Sequence, residues 1–177
     1  MSGHSKWSKV KHKKAVTDAK KSREFSKLVR LIKAEARQTG GDINSPKLKA
    51  VVEKAKAVNM PKDNIERAVR SATDTSGESY DAATYEAYGP GGAAMIIEIL
   101  TDNRNRAAAE IKHIFSKRGL AIASPGAASW VFSKDERGEW RPKQTLTLNN
   151  PDRTSLNELI EELENNDDVQ NVFTNAA

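Results

Sequence analysis

The sequence predicts an α+β protein, with a basic three-helix domain followed by a mixed domain of strands and helices. Two observations carry this prediction. Apolar residues recur at helical spacing through residue 72, whereas strand-like runs interleave with helical ones after residue 94. The charge divides at nearly the same place. Residues 1–72 hold 19 Lys/Arg against 7 Asp/Glu, and residues 73–177 hold 10 against 17, within a total of +5. The polar, small-residue stretch 73–81 reads as a linker, so the expected domains are 1–76 and 77–177.

The first helix is expected over 17–38. Thr17 or Asp18 can cap its start, and Gly40-Gly41 ends it. Phe25, Leu28, Val29, Ile32 and Ala36 fall on one stripe. Asn44 or Ser45 caps a second helix that begins at Pro46 and turns Leu48, Val51, Val52, Ala55 and Val58 inward. Pro61 opens a third, with Ile65, Ala68, Val69 and Ala72 on its buried face. No amphipathic helix of this length buries its stripe alone, so the three pack together.

Beyond the linker, Gly89-Pro90-Gly91-Gly92 reads as a turn before an apolar strand at 94–100. A helix over 105–118 places Ala108, Ile111, His113, Ile114 and Phe115 near its inner side and stops at Gly119. Strands are expected at 129–133 and 140–148, joined by a hairpin turn at 135–138. A helix over 152–165 carries Leu156, Leu159, Ile160 and Leu163, and a strand at 169–173 closes the chain. The order βαββαβ is that of the ferredoxin-like sandwich, two helices on one face of a four-stranded antiparallel sheet.

Composition removes several function classes. Apolar residues at 37% are too many for a disordered chain. No apolar run approaches the ~20 residues of a membrane span, and the N-terminus lacks a signal-type apolar stretch, so a cytoplasmic protein without a membrane partner is expected. The chain has no cysteine, which rules out disulfides and thiolate chemistry. His4, His12 and His113 lack partners at metal-ligand spacing, and no nucleophile-elbow, phosphate-loop or zincin motif occurs. Glu161, Glu162, Glu164, Asp167 and Asp168 read as a solvated acidic face. The glycines at 89, 91 and 92 precede a strand, whereas a phosphate cradle needs a following helix N-terminus. A protein without enzymatic activity, metal or cofactor, in monomeric form, is the expectation.

The basic half carries the positive signal. Lys20, Arg23, Lys27 and Arg30 lie nearly opposite the Phe25/Leu28/Ile32 stripe at about 100° per residue, so one face is core and the other a basic ridge. The preceding segment adds Lys6, Lys9, Lys11, Lys13 and Lys14. Such density self-repels, and polyanion binding relieves it by counterion release. Trp7 is either a base-stacking residue or an anchor pinning the basic arm. In 101–106, Thr101, Asp102 or Asn103 caps the helix, and Arg104 and Arg106 are a second candidate contact with phosphate or a partner's backbone. The expected partner is nucleic acid, as DNA or structured RNA, the ribosome included. The alternative is a ligand sensor or protein-interaction adaptor working through the ferredoxin-like domain.

Several segments together resemble the YebC-type family. They are Gly3-His4-Ser5-Lys6-Trp7 with Lys11-His12-Lys13-Lys14, then 59–68 (Asn-Met-Pro-Lys-Asp-Asn-Ile-Glu-Arg-Ala) and Tyr85-Glu86-Ala87-Tyr88-Gly89-Pro90-Gly91-Gly92. Leu100-Thr101-Asp102-Asn103-Arg104-Asn105-Arg106 and Asp167-Asp168-Val169-Gln170-Asn171-Val172-Phe173 complete the set. The resemblance implies a regulator of gene expression, described either as a DNA-binding transcriptional regulator or as a ribosome-associated translation factor acting at proline-rich stalls. Family members are typically longer, with a third domain inserted after the strand around 130–132, where this chain has a hairpin at 133–141. Because the first helix offers Lys and Arg rather than Asn or Gln base readers, its residues favour backbone contact, hence structured RNA or weakly specific DNA.

Overall fold

The computed structural model describes residues 18–74 and 79–177. They form two compact units, one of residues 18–74, 79–81 and 100–103, the other of 82–99 and 104–177. The α+β class is as expected.

The first unit is built on α1 (Asp18–Gln38), α2 (Pro46–Ala57) and α3 (Lys62–Thr73). Each boundary has a local cause. Gly41, at φ +81°, donates its N–H to the Ala36 carbonyl at 2.8 Å and ends α1. Ser45 caps α2, its hydroxyl accepting from the Leu48 N–H at 3.4 Å, with Pro46 in the first turn. Asn59 takes the left-handed conformation, φ +61°, and Met60 donates to the Ala55 carbonyl at 3.0 Å, so the chain turns sharply into Pro61 and α3. Ile32, Ala36, Leu48, Val51, Val52, Ala55, Met60, Ile65, Ala68 and Ala72 form the core, with Phe25, Leu28, Val29 and Val69 half-buried around it. Thr17, one of the two expected caps, lies outside the described residues.

In the second unit the expected βαββαβ order is corrected. The strands are β1 (Asp81–Tyr88), β2 (Ala94–Thr101), β3 (Ile122–Ala123), β4 (Phe132–Lys134), β5 (Trp140–Pro142) and β6 (Val169–Thr174). The helices are α4 (Arg104–Ser116) and α5 (Asn150–Asn165). The four-stranded sheet runs β3-β1-β2-β6, and β4-β5 forms a separate two-stranded ribbon. Thus a strand precedes the one expected first, and the two middle strands leave the sheet. The expected strand at 129–133 is a 3-10 turn at Ser129–Val131 followed by β4, and that at 140–148 shortens to β5.

The apolar run of β2 explains the rearrangement. Its alternate residues Met95, Ile97 and Ile99 join α4, α5 and β6 in one core, through Ala107, Ile111, Phe115, Leu156, Ile160 and Val172. Ala94 and Ile96 point to the other face, where Ala128, Val131, Phe132 and Phe173 cover them. A strand apolar on both faces needs cover on both, and the β4-β5 ribbon supplies the second layer by lying over the sheet rather than extending it. Glu98, the one charged residue of β2, accepts hydrogen bonds from Trp140 Nε1 and Asn171 Nδ2, both at 3.0 Å. The carboxylate thereby ties the ribbon to the sheet. On α4, Ala107 rather than Ala108 is buried, and His113 is exposed. The ribbon's tight turn is as expected, with the Asp135 N–H donating to the Glu139 carbonyl at 2.9 Å.

Candidate nucleic-acid interface

Along α1 the side opposite the Ile32 stripe carries Lys20, Arg23, Lys27 and Arg30. Lys20 is exposed, while Arg23, Lys27 and Arg30 are half-buried. The Arg30 guanidinium stands 5.8 Å from the Tyr80 ring centroid, within cation–π range. Ala34, two turns beyond Lys27 on the same side, is buried. The ridge is therefore open at its N-terminal end, is covered around Arg30 and Ala34, and reaches an exposed arginine again at Arg37. A trace of this stands in the sequence: a small apolar residue, Ala34, takes the place in the row between Arg30 and Arg37. Lys6, Trp7, Lys9, Lys11, Lys13 and Lys14 lie outside the described residues.

Arg104 and Arg106, expected to be open to phosphate, have protein partners. Arg106 Nη2 donates to Asp168 Oδ2 at 2.9 Å and Oδ1 at 3.3 Å, and the Asp168 side chain is only 3% exposed. Arg104 Nη2 donates to the Ala82 carbonyl at 3.1 Å. The buried Thr101 hydroxyl accepts from the Asn103 N–H at 3.0 Å and donates to the Asn103 carbonyl at 3.1 Å. The acidic residues are not simply a solvated face either. Glu162 pairs with both Lys117 and Arg118, bridging the end of α4 to α5. The Lys117 hydrogen bond leads the effects that hold its carboxyl below the usual range, against partial burial.

The Tyr85–Gly92 motif has two structural roles. Glu86 carries the first. Its Oε1 accepts from the Gly126 N–H at 2.8 Å, and its Oε2 from Ala128 at 2.8 Å and Ser129 at 2.7 Å. Burial works to raise its pKa, but the three backbone donors outweigh it and hold the carboxyl below the ordinary glutamate range. The second role is the turn at 89–92. A Cβ on Gly91 (φ +67°) would stand 2.6 Å from Leu148 Cδ2 and 3.1 Å from Asp152 Cβ, so the turn packs closely against Leu148 and the start of α5 in a left-handed conformation that favours glycine. Among the described residues, no three His, Cys, Asp or Glu side chains come together as metal ligands. No helix of the described residues is long and apolar enough to cross a membrane.

Comparison with known proteins matches nearly the whole chain. The model of the TACO1/YebC protein N-terminal domain matches residues 5–75, and that of the TACO1/YebC second and third domain matches 80–138 and 134–176. A "Probable transcriptional regulatory protein" of Syntrophobacter fumaroxidans is 47% identical over 91% of this chain and 62% of its own length. Another of that name, from Fervidobacterium nodosum, is 36% identical over an alignment of 235 positions that covers 99% of this chain and 93% of that protein. An alignment that long on 177 residues requires an internal gap. The two segments matched by the second model overlap at 134–138, from the last residue of β4 into the turn before β5. The chain spans 62% of the length of the Syntrophobacter relative. A crystal structure of a conserved hypothetical protein from Aquifex aeolicus superposes with a TM-score of 0.85 at 28% identity, covering 97% of this chain and 96% of that one. With these matches running through both units, the chain belongs to the TACO1/YebC family.

Proposed function

We propose that this chain is a non-enzymatic, cytoplasmic regulator of gene expression that binds nucleic acid through residues 1–76, chiefly by phosphate contact. The observation that carries the reading is the segregation of charge: 19 basic against 7 acidic residues in 1–72, with Lys20, Arg23 and Lys27 on the side of α1 away from its core stripe. Relatives named probable transcriptional regulatory proteins support the regulatory role. Phosphate contact gives affinity and position but no sequence information, so the reading is a weakly specific grip on duplex DNA or structured RNA by a monomer. Residues 77–177 form the acidic partner domain of this assignment. Arg104 and Arg106 have protein acceptors and are not counted among the phosphate contacts.

The test is a salt titration of binding to duplex DNA and to a folded RNA. If about six phosphates are neutralised, log K falls against log salt with a slope of roughly −5 for duplex DNA. Changing Lys20, Arg23 and Lys27 together to glutamine should make that slope shallower by roughly 2–3, each lost contact contributing about 0.9. Glutamine keeps the first two methylenes of each side chain and removes only the charge and the outer stem of residues that are at most half-buried, so the fold should survive. An unchanged slope in this variant would place the nucleic-acid surface elsewhere. The nucleic acid with the larger salt-independent remainder identifies the physiological class of target.

A further inference from the structure

We infer that Trp130, with Tyr88 beside it, is a stacking platform for an unpaired base of single-stranded nucleic acid. This rests on the nucleic-acid reading above and adds the base contact that the lysines and arginines of α1 do not provide.

Trp130 is 61% exposed, although it sits between the buried residues Ala128 and Val131. Large aromatics are normally among the more buried side chains, and an exposed one in a firmly held segment is informative. Firmly held it is. Its indole Nε1 donates to the Ala127 carbonyl at 3.0 Å, which restrains the orientation of the ring. The Tyr88 hydroxyl donates to that same carbonyl at 2.6 Å, so the two aromatic side chains meet at one acceptor, and Tyr88 is itself 38% exposed. Beneath them the Glu86 carboxylate holds the backbone N–H groups of Gly126, Ala128 and Ser129. The Lys143 ammonium donates to the backbone carbonyl of Trp130 at 3.1 Å, which sets a cation beside this residue. The segment before it, Ser124-Pro125-Gly126-Ala127, carries no bulky side chain.

Contrast with Trp140 shows that this is not how the fold uses a structural tryptophan. Trp140 packs edge-to-face on Phe132, with centroids 6.4 Å apart, and spends its indole N–H on Glu98 inside the protein. Trp130 contributes nothing comparable to the apolar layer formed by its neighbours. The chemistry around it favours a base over a protein partner. Protein anchors sit within a wider apolar area, whereas the exposed large apolar side chains described in this unit are Tyr88 and Trp130. A base needs only a rigid π-face and a nearby cation for its phosphate, and a ring already held in place loses little entropy on stacking.

The experiment measures affinity of the full chain for a short labelled single strand, for the duplex of the same sequence, and for a strand of equal length made of abasic sites. Trp130→Ala should weaken single-strand binding by roughly 5- to 150-fold, the equivalent of one stacked base, and leave duplex binding within about twofold. Trp130→Phe should retain most of the single-strand affinity. The abasic strand, which keeps every phosphate, should bind the wild-type chain as weakly as the intact strand binds Trp130→Ala, and the variant should weaken it no further. Single-strand affinity unchanged in Trp130→Ala, with the salt slope intact, overturns the stacking platform and leaves the phosphate-binding reading standing. An equal loss on single strand, duplex and abasic strand also overturns it, by showing that the residue only supports the fold. Absence of salt-dependent binding by the wild-type chain to all three would sink both readings together.

Discussion

Replacing Glu86 with glutamine tests whether one carboxylate organises the segment that carries Trp130. Two oxygens currently satisfy three backbone donors, Oε1 taking Gly126 and Oε2 taking Ala128 and Ser129. Glutamine has a single acceptor oxygen. Placed at the Oε2 position it keeps two of the bonds but sets its NH2 group against the Gly126 N–H. Bonds to a charged acceptor are worth ~1.5–3 kcal/mol, and the site is open enough to water that the lower end applies. Losing one bond and the charge assistance on the others should cost about 2 kcal/mol. In the wild-type protein the folded carboxyl has the lower pKa, so its contribution is fully present above the ordinary glutamate range and is lost as pH falls through the depressed folded value. Glu86→Gln has no such term. The gap in urea stability between the two proteins should therefore be widest near neutrality and narrow in acid. Amide exchange at Gly126, Ala128 and Ser129 should accelerate in the variant, which localises the loss. Equal urea midpoints at neutral pH, or a gap that acid leaves untouched, would refute the clamp.

Two further substitutions probe packing. Ile32→Ala should cost ~2–5 kcal/mol in urea melts because the side chain is fully buried, while Leu28→Ala, half-buried one turn earlier, should cost roughly half as much; a Leu28 effect as large as that of Ile32 would contradict the observed burial. Gly91→Ala combines a left-handed backbone, ~1–2 kcal/mol, with overpacking against Leu148 and Asp152, ~1–3 kcal/mol, whereas Gly92→Ala incurs only the backbone part because a Cβ there meets open space. Thermal melts showing the two alanines equally damaging would exclude the close approach of the turn to α5.

Within the basic half, the helices were legible because everything that defines them is local. The end of α1 at Gln38, the Ser45 cap and the turn into Pro61 depend on residues within one or two helical turns of each boundary. Family membership was legible for a similar reason, since motifs such as 59–68 and 85–92 hold special backbone conformations and close contacts. The sheet was different. β1 reads Asp-Ala-Ala-Thr-Tyr-Glu-Ala-Tyr, buries only Ala87 and mixes the strand formers Thr and Tyr with Asp, Ala and Glu, so pairing with β2 and β3 decides that it is a strand. The separation of β4 and β5 into a second layer follows from burial of both faces of β2, which depends on residues far away in sequence. The candidate contacts divide along the same line. The sequence by itself determined that positive charge collects on one side of α1, because helical period alone assigns sides. Only the tertiary structure decided which of those charges stay open, that Arg106 belongs to Asp168, and that Trp130 faces solvent, because each depends on which distant surface arrives to cover a side chain and which does not.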